Sequence, residues 1–279
     1  MSQFQIGIDI GGTKTKGILV DSGGIRSTIL FSSKPDQEFP NYCIDQLLDQ
    51  AGITSNQLCG IGLGVAGAVR NGKVIDCPPL LWQDFPLEKM ISKYHRTRII
   101  VENDVNCSAL AEWHFGNKPE NLVNLAIGTG IGVGLILNGQ IYRGQNGFAG
   151  EVGYWTTVED IQSSLQHKIG SVGPLEKILS GTAIEGKHGS PKKFFPETEK
   201  NSKLISDFID ELVCVIANLI SLLDPGLVVL GGGVSMSLNP WLSEINRKVN
   251  STTPCQARIE ISSLGENAVA LGALQLLGP

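Results

Sequence analysis

The sequence predicts an α/β fold of two lobes built by internal duplication. Three observations predict it. A strand that runs into a glycine turn and out into a second strand occurs twice, two further stretches repeat in the same order, and 279 residues exceed the size at which one core usually keeps growing. Each copy reads as a β-hairpin, a strand, a helix, a strand and a helix.

The first copy opens on Ile6-Gly7-Ile8-Asp9-Ile10-Gly11-Gly12-Thr13-Lys14-Thr15-Lys16-Gly17, an apolar strand that enters a polar glycine turn and leaves it into Ile18-Leu19-Val20. Gly11 and Gly12 let backbone N–H groups approach an anion, while Thr13 and Lys14 add a hydroxyl and a cation. Asp9 stands at the strand's end, where it could hold a hydrated Mg2+ through water; a tight hairpin with polar surface residues is the alternative. Residues 25–32 read as a third strand, 42–50 as a helix ended by Gly52, and 57–65 as a buried strand ending in Gly64-Val65-Ala66-Gly67. Gly62, Gly64 and Gly67 match G-x-G-x-x-G, but Ala68 to Val74 reads as a hairpin where a dinucleotide site needs a helix. Residues 85–94 read as a helix, 98–101 as a strand, and 103–115 as a helix stopped by Gly116.

The pattern then restarts. Leu125-Ala126-Ile127-Gly128-Thr129-Gly130-Ile131-Gly132 lies on the opening hairpin at an offset of 117, Leu230-Gly231-Gly232-Gly233-Val234 repeats Leu63 to Gly67, and Glu266-Asn267-Ala268 repeats Glu102-Asn103-Asp104 at an offset of 164. The difference of 47 predicts an insertion at about 144–200, ahead of a helix over 204–223. The expected lobes are 1–116, with the last helix (265–279) packed back on it, and 117–264, around a cleft with both turns facing one phosphate chain.

Composition bounds the partners. With 22 basic and 27 acidic residues, net charge −5, and no basic run longer than Lys192-Lys193, no nucleic-acid footprint is visible. The most apolar run, 212–223, is interrupted by Asn218 and Ser221 and is too short for a bilayer, so no membrane partner is expected. Six cysteines without a C-x-x-C pair, most of them in apolar runs, read as reduced core thiols of a cytoplasmic protein. The chain enters a strand by Phe4, which leaves no room in it for a signal peptide or a leading DNA-binding helix-turn-helix.

In their order, Asp9-Ile10-Gly11-Gly12-Thr13-Lys14, Glu102-Asn103-Asp104-Val105-Asn106, Gly128-Thr129-Gly130-Ile131-Gly132, Asn146-Gly147-Phe148-Ala149-Gly150-Glu151-Val152-Gly153, Asp224-Pro225 leading to Gly231-Gly232-Gly233, and Asn267-Ala268 resemble the ROK sugar kinases (repressor, open reading frame, kinase). These are glucokinase-like and N-acetylhexosamine-kinase-like members of the actin-like, ribonuclease H-like ATPase fold, and the resemblance covers nearly the whole chain. It implies phosphoryl transfer from ATP to a sugar hydroxyl, with Mg2+. Asp9, Gly11, Gly12, Thr13, Lys14, Gly128, Thr129 and Gly130 would meet the phosphates and the metal, and Gly231, Gly232 and Gly233 the nucleoside. Asn103, Gly67, Glu151, Tyr154 and Glu176 would line the sugar, and Asp104 would be the base. A homodimer is a possible assembly.

Asp104 also stands on its own chemistry. In the first turn of a helix, backbone N–H groups and the macrodipole favour the ionised carboxylate. Such a weak base suffices, because phosphoryl transfer loses the hydroxyl proton late and positioning dominates. The alternative is a simple capping acid, but the equivalent position of the second copy is Ala268, so the fold does not require a carboxylate there.

The insertion departs from the family. Members of the family the chain resembles commonly bind a structural zinc through one His and three Cys, and here those positions hold Tyr154, His167, Ile169 and Pro174; tetrahedral zinc needs four good ligands, so zinc is expected to be absent. Packing by Trp155, Ile161, Leu165 and Leu175 is expected to hold the loop instead. Pro79 stands where many relatives have Asn. A catalytically weak sugar or nucleotide sensor is the competing reading, polyphosphate is an alternative donor, and the repressor branch is set aside for want of a DNA-binding segment.

Overall fold

The computed structural model describes residues 4–163, 168, 170–196, 198 and 201–278. His167, Ile169 and Leu165, three of the loop positions discussed above, lie outside the described residues. Contacts divide the chain into one unit of Met1–Gly116, Gly144–Phe148 and Asn267–Pro279, and a second of Asn117–Arg143 and Ala149–Glu266.

In the first unit, β1 (Phe4–Ile10), β2 (Lys14–Asp21) and β3 (Gly24–Ser32) form an antiparallel meander, followed by α1 (Phe39–Ala51). Pro40 fits the first turn of α1, where its missing N–H costs nothing, so this helix starts earlier than the expected 42. It ends where Gly52 turns left-handed at φ 65°. Then come β4 (Leu58–Val65), β5 (Ala68–Arg70), β6 (Lys73–Cys77), β7 (Trp82–Phe85), α2 (Leu87–Ser92), β8 (Arg98–Asn103) and α3 (Asp104–Phe115). The sheet order is β3-β2-β1-β4-β8, with β4 parallel to β1 and β8, while β5, β6 and β7 make a separate small sheet.

Two expectations change here. The helix over 85–94 shortens to α2, because Phe85 pairs with Val74 and its ring lies 4.8 Å from that of Trp82, and Pro86 then breaks the strand. The cysteines divide evenly: Cys43, Cys77 and Cys107 are buried, but Cys59, Cys214 and Cys255 are exposed. Cys59 lies on the outward side of β4 and Cys214 on that of the helix Ser202–Leu223, while Cys255 lies in the connection between the helix Leu242–Thr252 and the strand Arg258–Ile261.

The second unit repeats the plan. β9 (Leu122–Ile127), β10 (Ile131–Leu137) and β11 (Gln140–Ile141) form the meander. The insertion carries α4 (Val158–Gln162), α5 (Glu176–Leu179), α6 (Gly181–His188) and α7 (Pro191–Phe194). α8 (Ser202–Leu223), β12 (Leu227–Gly231), α9 (Leu242–Thr252) and β13 (Arg258–Ile261) complete it, in the sheet order β11-β10-β9-β12-β13. Each sheet thus has two antiparallel neighbours on one side and two parallel ones on the other, which is the duplicated α/β ATPase plan. The hairpins differ at their tips: Ile10 pairs with Thr15, but Ile127 pairs with Ile131, so the second turn is one residue shorter.

The last helix, α10 (Ala268–Gln275), belongs to the first unit and packs on β1, β4 and α3. Glycines make that approach possible. A Cβ on Gly62 would lie 1.9 Å from the carbonyl oxygen of Ala273, and one on Gly272 would lie 1.7 Å from that of Cys107 in α3. Of the dinucleotide-like glycines, Gly62 therefore serves backbone packing, and Gly67 is followed by the hairpin of β5 and β6. Among the described residues no helix is long and apolar enough to cross a membrane.

Helix propensity alone favours Gly→Ala by about 1 kcal/mol, and the contact geometry decides the sign. Gly186→Ala in α6, where an added Cβ meets nothing within 4 Å, should raise the melting temperature. Gly272→Ala should lower stability by roughly 1–3 kcal/mol, because α10 must move off α3. Urea unfolding of both variants checks the pair.

Candidate functional site

The first unit gathers Asp9, the turn at 11–14, Gly67, Asn103 and Asp104 at the C-terminal ends of β1, β4 and β8. In a parallel α/β arrangement this is the end where a ligand meets strand termini and the start of the next helix. Asp9 faces Lys16 across the hairpin. Burial, and then the charge of Asp104, push the Asp9 carboxyl up to about 8, against the pull of Lys16. The cation beside Asp9 is therefore Lys16. Lys14 instead closes the turn with its carbonyl, which accepts from the Gly11 N–H at 3.0 Å, and its side chain is exposed.

Asp104 is the first residue of α3, and Asn103 is its cap: Asn103 Oδ1 accepts from the Asn106 N–H at 3.0 Å. Helix 103–115 of the sequence reading thus begins one residue later, with Asn103 extended at ψ 143°. The Asn103 amide also donates to the Gly67 carbonyl at 3.0 Å. Those bonds use one of its two amide hydrogens and one acceptor site of its oxygen. Asp104 Oδ1 accepts from the Val105 N–H at 2.9 Å.

Beside this junction lies a residue to which no role is assigned from sequence. Glu102 is 4% exposed, and its Oε1 accepts from the Asn103 N–H at 2.9 Å and from the Asn106 amide at 3.0 Å. Burial of this acid was not legible, since the turn into α3 sets the two partners that hold it. Pro79 packs its ring against Gly12, where an added Cβ would lie 2.8 Å away.

The second unit gathers the turn at 128–130, Glu151, Tyr154, Glu176 and Gly231, Gly232 and Gly233. Gly232, at φ 83°, backs onto Ile127 so closely that a Cβ would lie 2.4 Å from its carbonyl oxygen, and the Val234 N–H donates to that same oxygen at 3.0 Å. The glycine loop is thereby set beside the end of β9. Glu176 Oε1 lies where a Cβ on Gly130 would come within 2.2 Å, so that turn residue must be glycine for the acid to sit there.

Both acids are held above the ordinary carboxylate range. Burial raises Glu151 most and the charge of Glu176 adds to it; burial raises Glu176, while the Gly173 N–H pulls it down. Two glutamates so placed accept hydrogen bonds from hydroxyls when ionised and share repulsion that a bound donor would relieve.

The loop between them is fastened by polar contacts as well as packing. The Tyr154 hydroxyl accepts from the Gly170 N–H at 2.8 Å, and Gly173 lies so near Gly153 that a Cβ would be 1.9 Å from its carbonyl oxygen. Leu175 is buried and Trp155 packs on the same core, but Ile161 is 69% exposed and takes no part in the expected packing. α4 turns it outward. Among the described residues no group of three or more His, Cys, Asp or Glu side chains could hold a metal ion.

Mg2+ in the first unit would be a partly hydrated ion. Burial raises the Asp9 carboxyl most and the charge of Asp104 adds to it, a repulsion that a divalent cation would offset. With so few protein oxygens, water and phosphates would complete the octahedron.

Residues 5–278 match the ROK family. A glucokinase from Halalkalibacterium halodurans is 28% identical over 97% of this chain and 93% of its own length. A xylose repressor from Caldicellulosiruptor bescii is 27% identical over 84% of this chain, which spans 66% of that protein. Among solved structures, a ROK family glucokinase from Streptomyces griseus in complex with glucose and AMPPNP superimposes with a TM-score of 0.77 at 28% identity, covering 98% of both chains. With that match over almost its whole length, the chain belongs to the ROK family.

Proposed function

We propose that this chain is a sugar kinase that transfers the γ-phosphoryl group of ATP to a hydroxyl of a hexose or N-acetylhexosamine, with Asp104 as the base. The observation that carries the proposal is the placement of Asp104 at the first turn of α3, near enough to Asp9 for its charge to raise that carboxyl. The sugar oxygen forms its bond to the γ-phosphorus as the bond to the bridging oxygen of ADP breaks, and the hydroxyl proton passes to the Asp104 carboxylate. Asn103, Glu151 and Glu176 orient the sugar by hydrogen bonds; the turns at 11–14 and 128–130 meet the phosphates; Gly231, Gly232 and Gly233 meet the nucleoside. Asp9 would hold Mg2+ through water, and the ion would supply charge neutralisation at the phosphates.

The relatives support this reading through a glucokinase seen with a sugar and an ATP analogue. Repressors of similar identity favour a second one, a sugar-binding regulator without turnover. ADP release measured with ATP and a panel of hexoses and N-acetylhexosamines separates them. Sugar-stimulated release is expected; sugar binding without release would establish the regulator, and a polyphosphate arm reports the donor.

Asp104→Asn keeps the shape and removes the proton acceptor. Its kcat should fall by roughly 10²- to 10⁴-fold while the calorimetric Kd for sugar stays near that of the wild type. A near-normal kcat would remove Asp104 from the chemistry.

The raised glutamates fix a pH dependence. Their folded values lie above the ordinary range, so they lose charge earlier than free carboxyls as pH falls. Sugar affinity should therefore begin to weaken, as pH falls, in the interval above the one where ordinary carboxylates titrate. In Glu176→Gln the onset should move to lower pH, because Glu151 loses its like-charged neighbour, even though overall affinity is reduced. A sugar Kd constant across that interval would contradict these roles.

A further inference from the structure

Each glycine turn is gripped by its carbonyl oxygens, and in each a hydroxyl residue from a distant segment makes the grip. In the first unit Ser33, which follows β3, donates its Oγ–H to the Gly11 carbonyl at 2.6 Å and its N–H to the Thr13 carbonyl at 3.0 Å. Its Oγ also lies 2.9 Å from Thr15 Oγ1, so the hydroxyl is itself held in place. In the second unit the start of α6 does the same: the Gly181 N–H donates to the Gly128 carbonyl at 2.7 Å, and Thr182 donates to the Thr129 carbonyl with its N–H at 3.3 Å and its Oγ1 at 2.8 Å.

A trans peptide carries its C=O and its N–H on opposite sides of the chain. Fixing the oxygens of Gly11 and Thr13 therefore turns the N–H groups of Gly12 and Lys14 away from Ser33. Fixing the oxygens of Gly128 and Thr129 turns the N–H groups of Thr129 and Gly130 away from α6. Glycine makes this necessary, because a Gly-Gly peptide rotates between opposite orientations at little steric cost, and the flipped form would present an oxygen to an anion. An array of N–H groups aimed one way is what binds phosphate oxygens.

We propose that Ser33 and Thr182 are positioning residues that lock the peptide orientations of the two turns for the phosphates of the nucleotide. The inference rests on the proposed function, which puts phosphates at both turns. Neither residue touches the phosphate; each acts through the backbone it holds. Loss of the hydroxyl should therefore weaken ligands in proportion to their phosphates and leave the nucleoside and the sugar alone.

The test uses the full chain and calorimetry with MgADP, adenosine and the best sugar from the panel. Ser33→Ala and Thr182→Val should each weaken MgADP by roughly tenfold, the scale of one lost hydrogen bond, with adenosine and sugar Kd unchanged. Thr182→Ser, which keeps the hydroxyl, should restore MgADP affinity. Wild-type MgADP affinity in both hydroxyl-deleted variants overturns the inference, as does an equal loss for adenosine, which would mark general damage. A loss in only one variant overturns the shared device. Should Ser33→Ala fail to fold, the Thr182 pair decides, since that side chain is exposed. A wild type that binds adenosine but not MgADP overturns this inference and the proposed function together, whereas normal wild-type binding with unaffected variants overturns this inference alone.

Discussion

A buried carboxyl group fixes the junction on which the first unit's site depends. Glu102 is the last residue but one of β8, and it accepts the N–H of Asn103 and the amide of Asn106, one residue and four residues along. Those two bonds decide where extended backbone stops and α3 starts. Asn103 then caps the helix and reaches across to Gly67, so β4 and β8 are tied together at their ends. Asp104 inherits its position from this network. Leaving such buried donors unsatisfied costs about 1–3 kcal/mol each, so the junction is a stiff support for a single acid.

The duplicated plan is used unequally. Both sheets have the same strand order, yet Asp104 has Ala268 as its counterpart, and Ala268 is buried where α10 packs. Asn267, the counterpart of Asn103, has helical rather than extended backbone, with no side-chain cap bond. The second copy thus gives its last helix to packing, through glycines that bring backbone against backbone, while the first keeps the polar junction. Such close approach leaves no room for a methyl group on Gly62 or Gly272.

In the second unit, electrostatics and backbone spacing act together. Glu176 sits against Gly130 and is tethered weakly by the Gly173 N–H, while Gly173 itself lies flat on Gly153. The same few glycines therefore set the turn at 128–130 and the paired acids. The Tyr154 hydroxyl closes the loop on Gly170 with an ordinary hydrogen bond. The contact is local and neutral, and it leaves both carboxyl groups to interact with each other.

The sequence by itself determined the order of elements, the duplication and the place of Asp104 at a helix start, because these rest on periodicity, glycine turns and capping, which act over a few residues. It also located both hairpin turns by their glycines. It misplaced the start of α2 and the packing of Ile161, where Pro86 and the outward face of α4 decided locally. Only the tertiary structure decided which partners hold the turns. Ser33 stands 22 residues from Gly11, and Thr182 stands 53 from Thr129. Any serine or threonine can donate a hydrogen bond, so nothing in either residue announces its acceptor. The choice is made by strand order and by where α6 is set down, and these follow from burying whole sheets rather than from the residues that make the bond.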